Sequence, residues 1–253
     1  MLENRLVIYD SGVGGLSLVQ YMQTKSRLPV HYYLDNAGFP YGTKTMPELK
    51  DLIERRLIGL KKHYETILIA CNTASMVYEL AISPLSGVFP IIDRTIDEAL
   101  LQQPKRVAVL GTDRLIASEI YQSHLKVRGV ETINAFPLSD LVGQIESGAP
   151  YSVLTNNLKP TLDALKRLRP DVIILGCTHF NWLQPLFAQH LSATIVPSGY
   201  ALVDDLLRKY VFTNRGNRLI LSAFHPKTFK QVKEFMRNNH IFFNGSVNCN
   251  RIP

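Results

Sequence analysis

Short, almost uninterrupted apolar runs alternate along this chain with longer stretches whose apolar residues recur every three or four positions. The short runs predict strands at 6–9, 31–34, 67–71, 90–92, 107–110, 133–136, 172–176, 194–196 and 219–223. Several are apolar at every position rather than every second one, which suits a parallel sheet covered by helices on both faces. The longer stretches predict helices at 14–25, 45–64, 74–83, 94–102, 115–128, 138–147, 152–168, 181–190, 200–210 and 226–239. The clearest is 45–64, where Leu49, Leu52, Ile53, Leu57 and Leu60 share one face. Thr45 followed by Glu48 is a candidate capping box, and Pro47 is tolerated in the first turn.

Strand and helix alternation predicts an α/β fold. The pattern also repeats. Residues 67–73 read Ile-Leu-Ile-Ala-Cys71-Asn72-Thr73, and 173–179 read Ile-Ile-Leu-Gly-Cys177-Thr178-His179. The expected architecture is two pseudo-symmetric α/β domains, each with a mostly parallel sheet flanked by helices, facing each other across a cleft. The first is expected to take residues 1–92 and 206–240, and the second 93–205. Residues 241–253, Cys249 included, read as an irregular tail.

Composition narrows the class. Hydrophobic residues make up 46% of 253 and charged residues only 19%, so a sizeable core forms and disorder is disfavoured. The net charge of +7 raises the question of a nucleic-acid partner, but the basic residues are spread along helical stretches and no run of five occurs. No nucleic-acid partner is expected. No stretch approaches the roughly 18 apolar residues of a membrane span. The first residues lead straight into a strand-like run, so no leader is expected. Three widely spaced cysteines suit a reducing cytoplasm rather than a disulfide framework.

Polar residues stand where apolar runs end. In open α/β sheets, ligands bind beyond the carboxyl ends of the strands. Those ends carry Asp10-Ser11, Cys71-Asn72-Thr73, Gly111-Thr112 and Cys177-Thr178-His179. In Asp10-Ser11-Gly12-Val13-Gly14-Gly15, glycines between strand and helix can expose amides to an anion, or simply form a tight turn capped by Asp10 or Ser11. Phe39-Pro40-Tyr41-Gly42-Thr43 reads as a turn, or as a set of amide donors for a carboxylate. A lone cysteine is more often a small buried hydrophobe. Two at matching strand ends, each beside hydrogen-bonding residues, reverse that preference. They suggest one thiol on each side of a substrate, with the helix starts near 74 and 181 lowering thiol pKa values. His179 can hold a proton or orient the Cys177 thiolate. Cys177 and His179 with Cys71 and Asp10 make a poor metal set, so no metal is expected.

The chain resembles the glutamate racemase family. Asp10-Ser11-Gly12-Val13-Gly14-Gly15, Pro40-Tyr41-Gly42, Cys71-Asn72-Thr73-Ala74, Gly111-Thr112 and Gly176-Cys177-Thr178-His179-Phe180 follow its order and spacing over about residues 5–240. The resemblance implies a cofactor-independent enzyme that interconverts L- and D-glutamate and supplies the D-isomer for peptidoglycan. It implies a homodimer with no membrane partner. Carried over by motif, Cys71 is the base toward D-glutamate, assisted by Asp10. Cys177 is the base toward L-glutamate, assisted by His179, and Glu146 supports catalysis. Asp10, Ser11, Tyr41, Gly42, Asn72, Thr73, Thr112, Thr178 and His179 hold the substrate. The chain departs from the family pattern at Asp93-Arg94, Leu115, Val142-Gly143-Gln144, Asn181 and Pro197-Ser198-Gly199. Those departures keep other classes in play: a binding protein without turnover, an aspartate-type racemase, or a hydrolase using Cys177 and His179 alone.

Overall fold

A computed structural model describes residues 4–223, 226–241 and 247–248. Two fully parallel sheets organise them. The first contains β1 (Leu6–Asp10), β2 (His31–Leu34), β3 (Thr66–Ile69), β4 (Val88–Pro90), β9 (Arg218–Leu221) and β10 (Val247–Asn248). Their order is β10-β9-β2-β1-β3-β4. The second contains β5 (Arg106–Gly111), β6 (Thr132–Pro137), β7 (Val172–Gly176) and β8 (Thr194–Pro197), in the order β6-β5-β7-β8. Every residue of β1, β2, β3 and β7 is buried, which is why these strands read as continuous apolar runs.

The helices are α1 (Leu16–Lys25), α2 (Met46–Lys61), α3 (Asn72–Ala81), α4 (Ile92–Leu100), α5 (Asp113–Ala117), α6 (Ile120–Val127), α7 (Ser139–Glu146), α8 (Tyr151–Leu168), α9 (Gln184–His190), α10 (Tyr200–Lys209) and α11 (Pro226–Asn238). The capping pair forms at α2: the Thr45 amide and hydroxyl donate to Glu48 Oε2 at 2.8 and 2.7 Å. Leu49, Ile53, Leu57 and Leu60 line its buried face.

Three expectations need correction. The helix expected over 115–128 is two helices. The Ser118 hydroxyl donates to Leu115 O at 2.6 Å, and Glu119 takes a left-handed φ of 56°, which ends the first. The helix expected over 181–190 begins as a 3₁₀ turn, Thr178–Leu183, before α9 starts with Pro185 in its first turn. The tail is not wholly irregular, because Val247–Asn248 pairs in parallel with Leu219–Ile220 and covers the edge of β9. Cys249 lies outside the described residues.

The apolar core continues across the junction of the sheets. Val7 and Tyr9 of β1 belong to one cluster with Val107 and Val109 of β5 and Ile174 of β7. The chain returns to the first sheet in α10, whose Leu202, Val203 and Leu206 join the cluster holding Leu16, Leu18 and Val19 of α1. The expected boundaries at 92/93 and 205/206 thus fall inside α4 and α10.

Candidate active site

The carboxyl ends of β1, β3, β5 and β7 open on one cavity of about 330 Å³. Every residue singled out from the sequence as a site residue lines it except Glu146. Phe39, Asp113, Ser139, Asp140, Val142 and Gly143 line it as well and were not anticipated. Asp113 follows Thr112, and Ser139-Asp140 follows the end of β6. The strand-end rule that found the other positions reaches these too, once β6 is counted among the ligand-facing strands. Among the described residues, no lysine or arginine lines the cavity.

The first thiol sits at the N-terminus of α3. Cys71 is 8% exposed, and its Sγ lies 3.5 Å from Ser11 Oγ. Ser11 Oγ in turn donates to Asp10 Oδ1 at 3.4 Å. Burial, reinforced by the Asp10 charge, pushes the Cys71 thiol up to about 12. The helix start was expected to lower it. The Ala74 amide does bond to the sulfur and favours the thiolate, but desolvation outweighs it. Burial also raises Asp10 to about 6, against opposing pulls from His179, the Gly12 amide and the Thr178 hydroxyl.

The second thiol follows β7. Cys177 is 7% exposed, and its Sγ lies 3.6 Å from His179 Nδ1. His179 Nε2 is 2.7 Å from Glu146 Oε1. Burial alone would hold the His179 ring neutral. Cys177 and Glu146, one on each ring nitrogen, outweigh it and set the ring's pKa well above the usual histidine range. Glu146 therefore stands behind His179, one bond away from the cavity.

The glycine-rich loop serves close approach. A Cβ on Gly12 would lie 2.0 Å from Glu146 Oε1, and one on Gly14 would lie 2.5 Å from Thr178 Oγ1. The loop's amides bind the protein's own carboxylates: Gly12 N donates to Asp10 Oδ1 at 3.1 Å and Val13 N to Glu146 Oε1 at 2.6 Å. The Thr178 hydroxyl donates to Asp10 Oδ2 at 2.9 Å, so each half grips the helper carboxylate of the other.

The remaining residues divide by what their side chains already bond. The Thr73 and Thr112 hydroxyls meet at 3.2 Å on the cavity wall. Tyr41 donates to buried Asp35 at 2.7 Å, and Arg56 pairs with the same carboxylate at 3.1 Å. That leaves the turn at Tyr41–Thr43 to present backbone. The Asn72 side chain is committed at both ends. Its Oδ1 accepts from Tyr121 at 2.7 Å and its Nδ2 donates to Ser198 at 2.9 Å. Glu79, Asp93 and His124 group at metal-ligand spacing away from this cavity, and Arg128 pairs with Asp93 there.

The family model described as Asp/Glu/Hydantoin racemase matches residues 22–206. The chain belongs to the Asp/Glu/hydantoin racemase family. The glutamate racemase of Helicobacter acinonychis is 31% identical over 92% of this chain and 99% of its own length. Among solved structures, a glutamate racemase isoform from Bacillus anthracis matches with a TM-score of 0.81 and 22% identity, over 98% of this chain and 97% of its own. The glutamate racemase of Francisella tularensis, solved with D-glutamate, matches with a TM-score of 0.80 and 22% identity, over 99% and 98%. These racemase structures share the mixed α/β fold with two parallel sheets described above. As in any racemase, the chemistry must reach both faces of one carbon, so the two thiols in a single cavity are the natural focus.

Proposed function

We propose that this chain is a cofactor-independent racemase that interconverts L- and D-glutamate, with Cys71 and Cys177 as opposed proton carriers. The observation that carries the reading is the pairing of thiols with helpers. Two buried thiols from equivalent strand ends line one cavity, one backed by Ser11 and Asp10, the other by His179 and Glu146. The names of its relatives support glutamate as the substrate.

The α-hydrogen of an amino acid is weakly acidic, so the site must generate a thiolate on one side and keep a thiol on the other. On the first side, Asp10 is ionised above about pH 6 and takes the Cys71 proton through Ser11. The substrate ammonium, drawn toward Asp10, offsets the burial that otherwise holds Cys71 protonated. On the other side, the His179–Glu146 pair holds a proton beside Cys177 and returns it when that thiol donates. The carbanion is stabilised by ordered donors in a cavity that excludes most water. With no cationic side chain on the wall, the substrate carboxylates bind to neutral donors: the Thr73 and Thr112 hydroxyls and the amides of the Tyr41–Thr43 turn and of α3.

In this reading residues 1–92 with 206–240 and residues 93–205 act as two bodies closing on the substrate. The enzyme works in the cytoplasm as a homodimer, and its D-glutamate feeds peptidoglycan. Cys71→Ala and Cys177→Ala test the two-base core. Each abolishes racemisation in both directions. Cys71→Ala still exchanges the α-hydrogen of L-glutamate, and Cys177→Ala that of D-glutamate. Full racemisation by either variant contradicts the proposal.

A further inference from the structure

Beneath the two thiols lies a buried polar knot that the proposed chemistry does not use. Asn72 immediately follows Cys71. Its Nδ2 donates to Ser198 Oγ at 2.9 Å, while Tyr121 O–H donates to its Oδ1 at 2.7 Å. Asn181 lies in the 3₁₀ turn that follows Cys177. Its Oδ1 accepts from Ser198 N at 3.2 Å, and its Nδ2 donates to Ser198 O and to Ser17 Oγ, both at 3.1 Å. Ser198 is fully buried, and Asn72, Asn181, Ser17 and Tyr121 are each under 5% exposed. The next amide, Gly199 N, donates to Thr95 Oγ1 at 3.2 Å. One serine is therefore bonded to the loops of both thiols, and the same knot reaches α1 and α4.

We infer that Ser198 is a positioning residue that holds the Cys71 and Cys177 loops in fixed opposition across the substrate. Several features support a role beyond stability. Satisfied buried networks specify one arrangement, because each member loses its partner if a neighbour moves. Both asparagines belong to the cysteine-bearing segments, so motion at Ser198 is transmitted to the two sulfurs over a few bonds. Two of the residues, Asn181 and Ser198, lie in segments where the chain departs from the family pattern, so the clasp is written in this chain's own sequence.

The consequence is specific to two-base chemistry and rests on the racemase reading above. In heavy water, the thiolate that takes the α-hydrogen becomes an S–H that exchanges to S–D. Return of that deuteron gives labelled starting enantiomer. Delivery from the opposite S–D gives the inverted product. The ratio of the two outcomes reports how well the second thiol is placed.

Ser198→Ala removes one bond of the knot and Asn181→Ala removes three. In both, inversion falls by about 10- to 100-fold while α-deuterium entry into unreacted glutamate falls far less, because only delivery from the displaced thiol is impaired. Near-UV circular dichroism establishes that each variant is folded. If the wild type racemises and folded variants lose inversion and exchange together, or change neither, the role of Ser198 is overturned and the racemase reading stands. If both variants unfold, the knot serves stability alone and the inference is overturned. If the wild type neither inverts nor exchanges glutamate, the racemase reading falls first and takes this inference with it.

Discussion

Asp10 shows how one buried carboxylate sets the working range of a site. It accepts from the Gly12 amide and the Thr178 hydroxyl, yet burial still lifts it to about 6. If it must be ionised to receive the Cys71 proton, kcat/KM falls as pH drops below about 6, and a pH–rate profile checks this. Asp10→Asn removes the acceptor and costs about a hundredfold or more in kcat. Stability has the opposite sign. A carboxylate raised above its unfolded value contributes stability at low pH that is lost as pH rises through about 6. Relative to the wild type, the Asp10→Asn variant therefore gains in urea midpoint between pH 4 and pH 7. An unchanged gap contradicts the raised carboxyl. The cysteines, Asp10 and His179 were legible from type and position. The elevated Cys71 thiol was not, because desolvation depends on neighbours from both sheets that the spacing along the chain does not reveal.

At the scale of elements, periodicity was a good guide wherever one face is buried. Leu57 of α2 is fully buried, whereas Ile58, its neighbour, is 51% exposed. Leu57→Ala removes core contacts and costs about 2–5 kcal/mol. Ile58→Ala shifts stability by about 0.5 kcal/mol or less, and urea melts of the two variants separate these outcomes. Equal losses contradict the assigned register of α2. The errors lie where local chemistry overrides the pattern. Ser118 bonds back to its own turn and Glu119 turns left-handed, so a continuous apolar stripe became two helices. The glycine loop, read as an anion cradle or a turn, is shaped by the approach of Glu146 and Thr178 from the other sheet. Such long-range contacts leave no local signal.

At the scale of the molecule, the repeated apolar run ending in cysteine announced two similar halves, and two parallel sheets are present. How the halves meet was not legible. They share an apolar cluster, exchange grips on Asp10 and Glu146, and tie both cysteine loops to Ser198. The central claim is that this junction holds two thiols on opposite faces of glutamate. It is tested most directly by incubating the purified protein, without added cofactor, with L-glutamate and separately with D-glutamate in heavy water. Optical rotation and α-deuterium content are followed together. The account predicts inversion from either enantiomer, with deuterium at the α-carbon of the inverted product. Bound glutamate that neither inverts nor takes up deuterium, in folded protein, contradicts it.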